Sequence, residues 1–307
     1  MKSVLLLLAF QLTSPAEIQK YQEAEAVLNK TYNHTRLLEA DQEAERMARV
    51  LIHKYPDDPY IYALWASAEW LLIGRELNLR ADEEKDVTQV NGYKERVQRY
   101  HYFVEKGLSL TENSIDEHML FMRATLKFDQ AKFAAKYEGR YSGLRKADQA
   151  AAEGIKILKD ILRSNPNFCS AYLFLGANRL QFSTKIKWYE KPFVWASSRA
   201  YGELYAFDGD VINEKKAIEW LERAYHCGYP QPWQKKAWLE TSFILVGAYG
   251  DFGKKRGKKE EMDTLLKEVP LLQKIVAFFP QNKDLGQRLS QKESRLETLQ
   301  NTIFKQK

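Results

Sequence analysis

Residues 144–178 read LRKADQAAAEGIKILKDILRSNPNFCSAYLFLGAN, and their pattern decides the fold. Leu144, Ala147, Ala151, Ile155, Leu158 and Leu162 recur at helical spacing. One face of that helix is apolar, and the other carries Lys, Glu and Arg. Pro166 closes the pattern, because proline lacks the amide hydrogen that a continuing helix needs. Asn167 is a residue type that caps helix starts, and the run into Tyr172 and Leu175 opens a second helix. Helix, proline joint and helix again is the unit from which the rest of the chain is read.

The same joint occurs at Tyr55-Pro56-Asp57 and Phe279-Pro280-Gln281, so the three prolines are spaced by 110 and 114 residues. Those spacings are about three times a repeat period of roughly 34 residues. Apolar stripes fill the intervals: Leu37, Ala40, Ala44, Ala48 and Leu51; Ile61, Leu64, Trp65, Ala68 and Leu72; Ala217, Trp220, Leu221 and Ala224; Met262, Leu265, Val269, Leu272, Val276 and Phe279. Asp57-Asp58-Pro59 offers a capping acid before a first-turn proline, and Ser114 with Glu117 reads as a capping box. Sustained period-two alternation is missing, which argues against a large sheet. The expected architecture is all-α, with helix pairs near 17–55, 59–109, 115–164, 168–227 and 232–279 and a capping helix over 283–304.

Hydrophobic residues make up 45% of the 307, enough for a sizeable core. The net charge of +6 is modest for this length and lacks the concentrated basic stripe of a nucleic-acid binder. At the start, Lys2, the apolar run Val4 to Phe10 and the small residues of Ser14-Pro15-Ala16 have the layout of a signal peptide over 1–16. That layout predicts an exported protein, periplasmic or secreted. No later stretch reaches transmembrane length. Cys169 and Cys227 are the two cysteines. They are consistent with one bridge in an oxidising compartment or with two buried thiols.

The residues flanking the prolines resemble the tetratricopeptide repeat. Tyr172 stands where that family prefers Trp or another large residue, and Leu175-Gly176 takes the place of its Leu-Gly pair. Gly154, Leu158 and Ile161 fill the small, large and apolar positions of its second helix, while Tyr62, Trp65 and Ala66 repeat the order after Pro56. Small residues at these places let a partner helix approach closely. Arg179 and Glu69 depart from the pattern, occupying positions where an aromatic is usual. The resemblance implies an α-α superhelix of degenerate antiparallel helix pairs over 17–307. Its concave face would be built from the first helix of each pair, including parts of 59–78, 115–137, 168–181 and 232–249, and would bind proteins or peptides. Trp70, Arg179, Trp195 and Trp233 are the candidate contact residues on it, and Trp188 of the insertion is the fifth binding candidate.

Between Phe182 and Phe207 lies an insertion too long for a repeat turn, holding Trp188, Tyr189, Phe193, Trp195, Tyr201 and Tyr205 among Lys185, Lys187, Lys191 and Arg199. It reads either as a lid or groove wall with aromatic anchors, or as an inserted helix plugging the core. Lys254, Lys255, Arg256, Lys258 and Lys259 form a basic run that the acids Glu260, Glu261 and Asp263 offset at the next helix start. Aromatics for stacking on bases are not interleaved with it. The sequence carries no phosphate-binding glycine loop, nucleophile elbow or metal-ligand spacing. His226 and Cys227 are neighbours on a helix and point in different directions. No catalytic residue, cofactor or metal is therefore expected. The expected function is an exported scaffold or adaptor for a protein or peptide partner. The alternative is a periplasmic binding protein for a small apolar or anionic ligand, with 182–210 as its lid.

Overall fold

The computed structural model describes residues 38–76, 92–138, 142–185, 213–227 and 235–304. Among them every regular element is a helix and none is a strand. The chain divides into two compact units at Pro166–Asn167. The first holds α1 (Leu38–Lys54), α2 (Pro59–Glu76), α3 (Tyr93–Thr111), α4 (Glu117–Tyr137) and α5 (Ser142–Ser164). The second holds α6 (Cys169–Lys185), α7 (Glu214–Cys227), α8 (Lys235–Lys254), α9 (Lys258–Phe278) and α10 (Lys283–Phe304). Helices pack with their chain neighbours: α2 with α3, α4 with α5, α6 with α7, and α8 with α9, while α10 lies on α9. Residues 1–16, expected to be a signal peptide, and most of the insertion fall outside the described residues.

The three proline joints share one backbone solution, a turn at residues 56–57, 166–167 and 280–281. Asp58 N–H donates to Tyr55 O (3.3 Å), and Asn282 N–H donates to Phe279 O (2.9 Å), each a turn with proline in its second position. The residue closing each turn also caps the next helix. Asp58 Oδ1 accepts from Tyr60 N–H at 2.9 Å, and Asn282 Oδ1 accepts from Leu285 N–H at 3.2 Å. The corresponding residue of the middle joint is Phe168, whose side chain has no oxygen to offer. Tyr62 ties α2 back to its joint by donating its hydroxyl to Pro56 O at 2.9 Å.

The capping box expected at Ser114 and Glu117 is not formed. Asp116 caps α4 instead, its carboxylate accepting from His118 N–H and Met119 N–H at 3.0 Å each. A carboxylate one residue before the helix satisfies two orphan amides and complements the helix dipole. Ser114 Oγ accepts from Asp116 N–H at 3.1 Å. Glu117 turns toward the end of α5, accepting from Asn165 Nδ2 at 2.7 Å and Ser164 Oγ at 3.2 Å.

The apolar stripes become the cores. Ile61, Leu72, Leu158, Ala217, Leu221 and Leu272 are fully buried. Two glycines set the helix spacing. A Cβ on Gly154 of α5 would lie 2.9 Å from the Phe128 ring of α4. One on Gly176 of α6 would lie 2.8 Å from Leu221 Cγ and 3.0 Å from Leu221 N of α7. Only glycine permits such an approach, because nearly everything it would meet is closely packed already. In the first unit aromatic rings fill much of the interior, with Tyr100 stacked on Phe133 (4.3 Å) and Trp65 on Phe103 (4.1 Å).

Both departures from the repeat pattern are buried charges. Glu69, fully buried on α2, is held by two arginines of α3: Arg96 Nη1 at 3.1 Å and Arg99 Nε at 2.8 Å. Arg179 of α6 is also buried, with its guanidinium 5.2 Å from the Trp220 ring. A third buried charge, Glu268 of α9, meets Lys292 of α10 at 2.7 Å and Arg288 at 3.7 Å. Gly250 of α8 leaves room for that pair, since a Cβ there would stand 3.0 Å from Lys292 Nζ. The outer positions of α10, such as Gln287, Ser290, Gln291, Glu293, Ser294 and Glu297, are polar and exposed.

Candidate functional site

Most exposed side chains of the second unit are charged or polar, but aromatic residues gather where α8 meets the end of α9. Phe243, Phe278 and Phe279 are 39, 40 and 40% exposed, high values for large apolar groups. The reason lies in the helix end. The stripe Met262 to Phe279 would place Phe279 on the core face, yet α9 stops at Phe278 and Phe279 leaves helical geometry. Its ring turns outward and lies 6.3 Å from that of Phe243 on α8.

A row of rings continues inward from Phe278. Phe278 lies 5.3 Å from Trp238 of α8, and Trp238 lies 5.9 Å from Tyr225 of α7. Lys274, one turn before Phe278, donates to Tyr225 Oη at 3.1 Å, and its ammonium stands 5.7 Å from the same ring. His226 meets the Tyr225 ring edge-on at 5.3 Å. Three helices thus supply a partly exposed aromatic surface with a cation at one end. Rigid aromatic faces of this kind give contact area at low entropic cost.

A second mixed row lies on the α6–α7 pair. Arg223 sits over Tyr172 (5.9 Å), Tyr172 packs edge-on against Trp220 (5.8 Å), and Arg179 lies over Trp220. Arg179, expected on an open concave surface, is 4% exposed and belongs to this packed row. A long cation buries its stem and stacks its planar head on a ring more cheaply than it is left dry and unpaired.

Trp70 stands in the first unit, half-buried. It meets Tyr137 edge-on at 6.5 Å, with Lys136 Nζ 5.0 Å from its ring. Among the described residues its Nε1 and the Tyr137 hydroxyl are buried donors with no hydrogen-bond partner, and burial raises the Tyr137 pKa above its ordinary value. Trp188, Trp195 and Trp233 lie outside the described residues, so of the five expected contact residues the structure places Trp70 and Arg179. Each is packed into its own unit. Sequence reasoning did not select Trp238, Phe243, Phe278 or Phe279 as a site. The signal that marks Phe279 is the proline immediately after it, which forces the helix to end and the ring to leave the stripe.

The basic run at the α8–α9 turn is partly neutralised. Lys255 pairs with Glu214 at 3.0 Å, Arg256 lies 4.0 Å from the Phe252 ring, and Glu261 accepts two hydrogen bonds from Arg295 at 3.0 and 2.8 Å. Those two bonds hold the Glu261 carboxyl below its usual range. Among the described residues no group of three His, Cys, Asp or Glu side chains is arranged to hold a metal ion. No described helix is long and apolar enough to cross a membrane.

Cys169 and Cys227 form a disulfide, with their Cα atoms 5.7 Å apart. It joins the first residue of α6 to the last of α7. The Asn167 carbonyl oxygen lies 3.3 and 3.4 Å from the two sulfurs, as contacts only, since a disulfide sulfur carries no proton. No family model, curated protein or solved structure matches the chain.

Proposed function

We propose that the chain is an exported scaffold of degenerate tetratricopeptide-like helix pairs, and that it binds a protein partner through the aromatic surface of Trp238, Phe243, Phe278 and Phe279. The observation that carries the reading is the exposure of three phenylalanines on one face of otherwise well-packed helices. A clustered apolar surface with a charged edge suits protein recognition better than scattered exposed side chains do. The disulfide supports the exported part of the reading, because such bonds persist in oxidising compartments. Close-approach glycines at Gly154 and Gly176, with the polar outer face of α10, support the repeat architecture. The role is binding rather than catalysis. The small-ligand alternative rests on the insertion 182–210, most of which lies outside the described residues.

Site-specific photo-crosslinking in the source cell tests the proposal. A photoreactive phenylalanine analogue at Phe243 should give one discrete crosslinked protein species. The same analogue at Ile115 of the first unit, which is 94% exposed, should give none. Equal crosslinking at both positions, or none at Phe243, would sink the assignment of the surface.

A further inference from the structure

We propose that Trp70 and Tyr137 form a binding site in the first unit for a small organic carboxylate, which accepts hydrogen bonds from Trp70 Nε1 and Tyr137 Oη. Both atoms are buried, and among the described residues neither has a hydrogen-bond partner. Tyr137 is 8% exposed as a whole residue, so its hydroxyl is a polar group held away from water at the end of α4. A buried donor without a partner costs free energy, and folded chains keep few of them without a use. The two donors also belong to one place. The Trp70 and Tyr137 rings meet edge-on at 6.5 Å. Gly74 lies one turn after Trp70 on α2, and a Cβ on it would stand 3.5 Å from Tyr137 Oη. The hydroxyl therefore faces α2 one turn beyond the indole, where glycine puts no side chain against it.

A cation selects the class of ligand. Lys136 Nζ stands 5.0 Å from the Trp70 ring and 5.2 Å from the Tyr137 ring, beside both donors. Two neutral donors and an ammonium match the two oxygens and single charge of a carboxylate. Burial raises the Tyr137 pKa, and Tyr93 of α3 adds to the rise. The hydroxyl therefore keeps its proton and remains a donor at neutral pH. Trp65 Nε1 is also buried and unpartnered among the described residues. Its ring neighbours, Phe103 at 4.1 Å and the exposed Arg49 at 5.7 Å, bring no second buried donor to it. Convergence of two such donors beside a cation is what distinguishes Trp70 and Tyr137.

The test follows the indole N–H resonance of Trp70 in the full chain, assigned by its loss in Trp70→Phe, as sodium acetate or sodium benzoate is added. At least one of the two carboxylates should shift that resonance saturably. Benzyl alcohol, which has the ring of benzoate without its charge, should move it little. Tyr137→Phe keeps the ring and removes the hydroxyl. It should raise the dissociation constant of the carboxylate at least about tenfold, the worth of one hydrogen bond to a charged group. Without ligand the same variant should unfold at an unchanged or higher urea concentration, because an unpartnered polar group has been removed. Gly74→Ala sets a methyl against the hydroxyl and should weaken binding while helical circular dichroism stays the same. A Trp70 resonance unmoved by both carboxylates would mean that water alone serves the two donors, and would overturn the proposal. An equal shift with benzyl alcohol would overturn the carboxylate class. Tyr137→Phe that destabilises the ligand-free chain and leaves binding unchanged would give the hydroxyl a structural role instead.

Discussion

The two units solve one problem with different means. Each buries a glutamate completely, and each meets it with cations from the next helix. In the first unit Glu69 is satisfied on both oxygens by Arg96 and Arg99 at 3.1 and 2.8 Å. In the second, Glu268 has one close partner among the described residues, Lys292 at 2.7 Å, while Arg288 stands at 3.7 Å and Oε1 has no hydrogen bond among them. The arginine fork fixes two directions at once, whereas a lysine acts as a point charge. The first unit is thus pinned by a polar clamp within an aromatic core. In the second a looser ion pair is accompanied by a covalent bond. Buried charges of this kind specify which helices pair, even where an apolar substitute of equal volume would be as stable.

Breaking the clamp is expected to have the largest effect. Glu69→Gln leaves Arg96 and Arg99 partly buried without their counter-charge and should cost about 3 kcal/mol. Glu268→Gln should cost about 2 kcal/mol, since its cations are less committed and Arg288 is more exposed. Urea unfolding of the two variants, with amide exchange localising the loss to α2–α3 or to α9–α10, checks the order. Equal losses would mean that the two glutamates do the same work and the contrast is empty.

Helix spacing gives the next effect. Gly176→Ala forces a methyl against Leu221 and the α7 backbone and should destabilise the second unit by about 2 kcal/mol. Gly247→Ala on α8 meets nothing within 4 Å. It should stabilise by about 1 kcal/mol, because alanine is the better helix former. Opposite shifts in thermal midpoint confirm that close approach, rather than glycine content, sets the fit.

A comparable effect should appear with pH. Asp148 of α5 is buried with both carboxylate oxygens unpartnered among the described residues, and burial pushes its pKa up to about 6. The folded state therefore binds this proton more tightly than the unfolded chain, whose carboxyl titrates near 4. Its contribution is present in full below pH about 4 and is lost as pH rises through about 6. Asp148→Asn should stabilise the first unit by about 2 kcal/mol at pH 7 and by little at pH 4. An unchanged difference across that window would remove Asp148 from the account.

Much of the all-helical framework was legible because the signals are local. Stripes at spacings of three and four, proline joints and capping residues each depend on a few adjacent positions. What escaped depends on partners distant in sequence or on a single helix end. Glu69 reads as a departure from the repeat until Arg96 and Arg99, 27 and 30 residues away, are seen to enclose it. Ser114 with Glu117 matches a capping box by spacing, but Asp116 stands closer to the helix start. Phe279 continues an apolar stripe in sequence, yet leaves it in space one residue past the end of α9. The aromatic surface was missed for that reason. The pairing of Cys169 with Cys227 was open because two cysteines permit either free thiols or a bridge.

The most direct test of the scaffold reading is native mass spectrometry of the protein purified gently from its source, comparing wild type with Phe243→Ala/Phe279→Ala. The account predicts a stoichiometric protein companion on the wild type, absent from the double variant, while both keep the same helical circular dichroism. A companion retained by the variant, or a small releasable mass with no protein companion on either form, would contradict it.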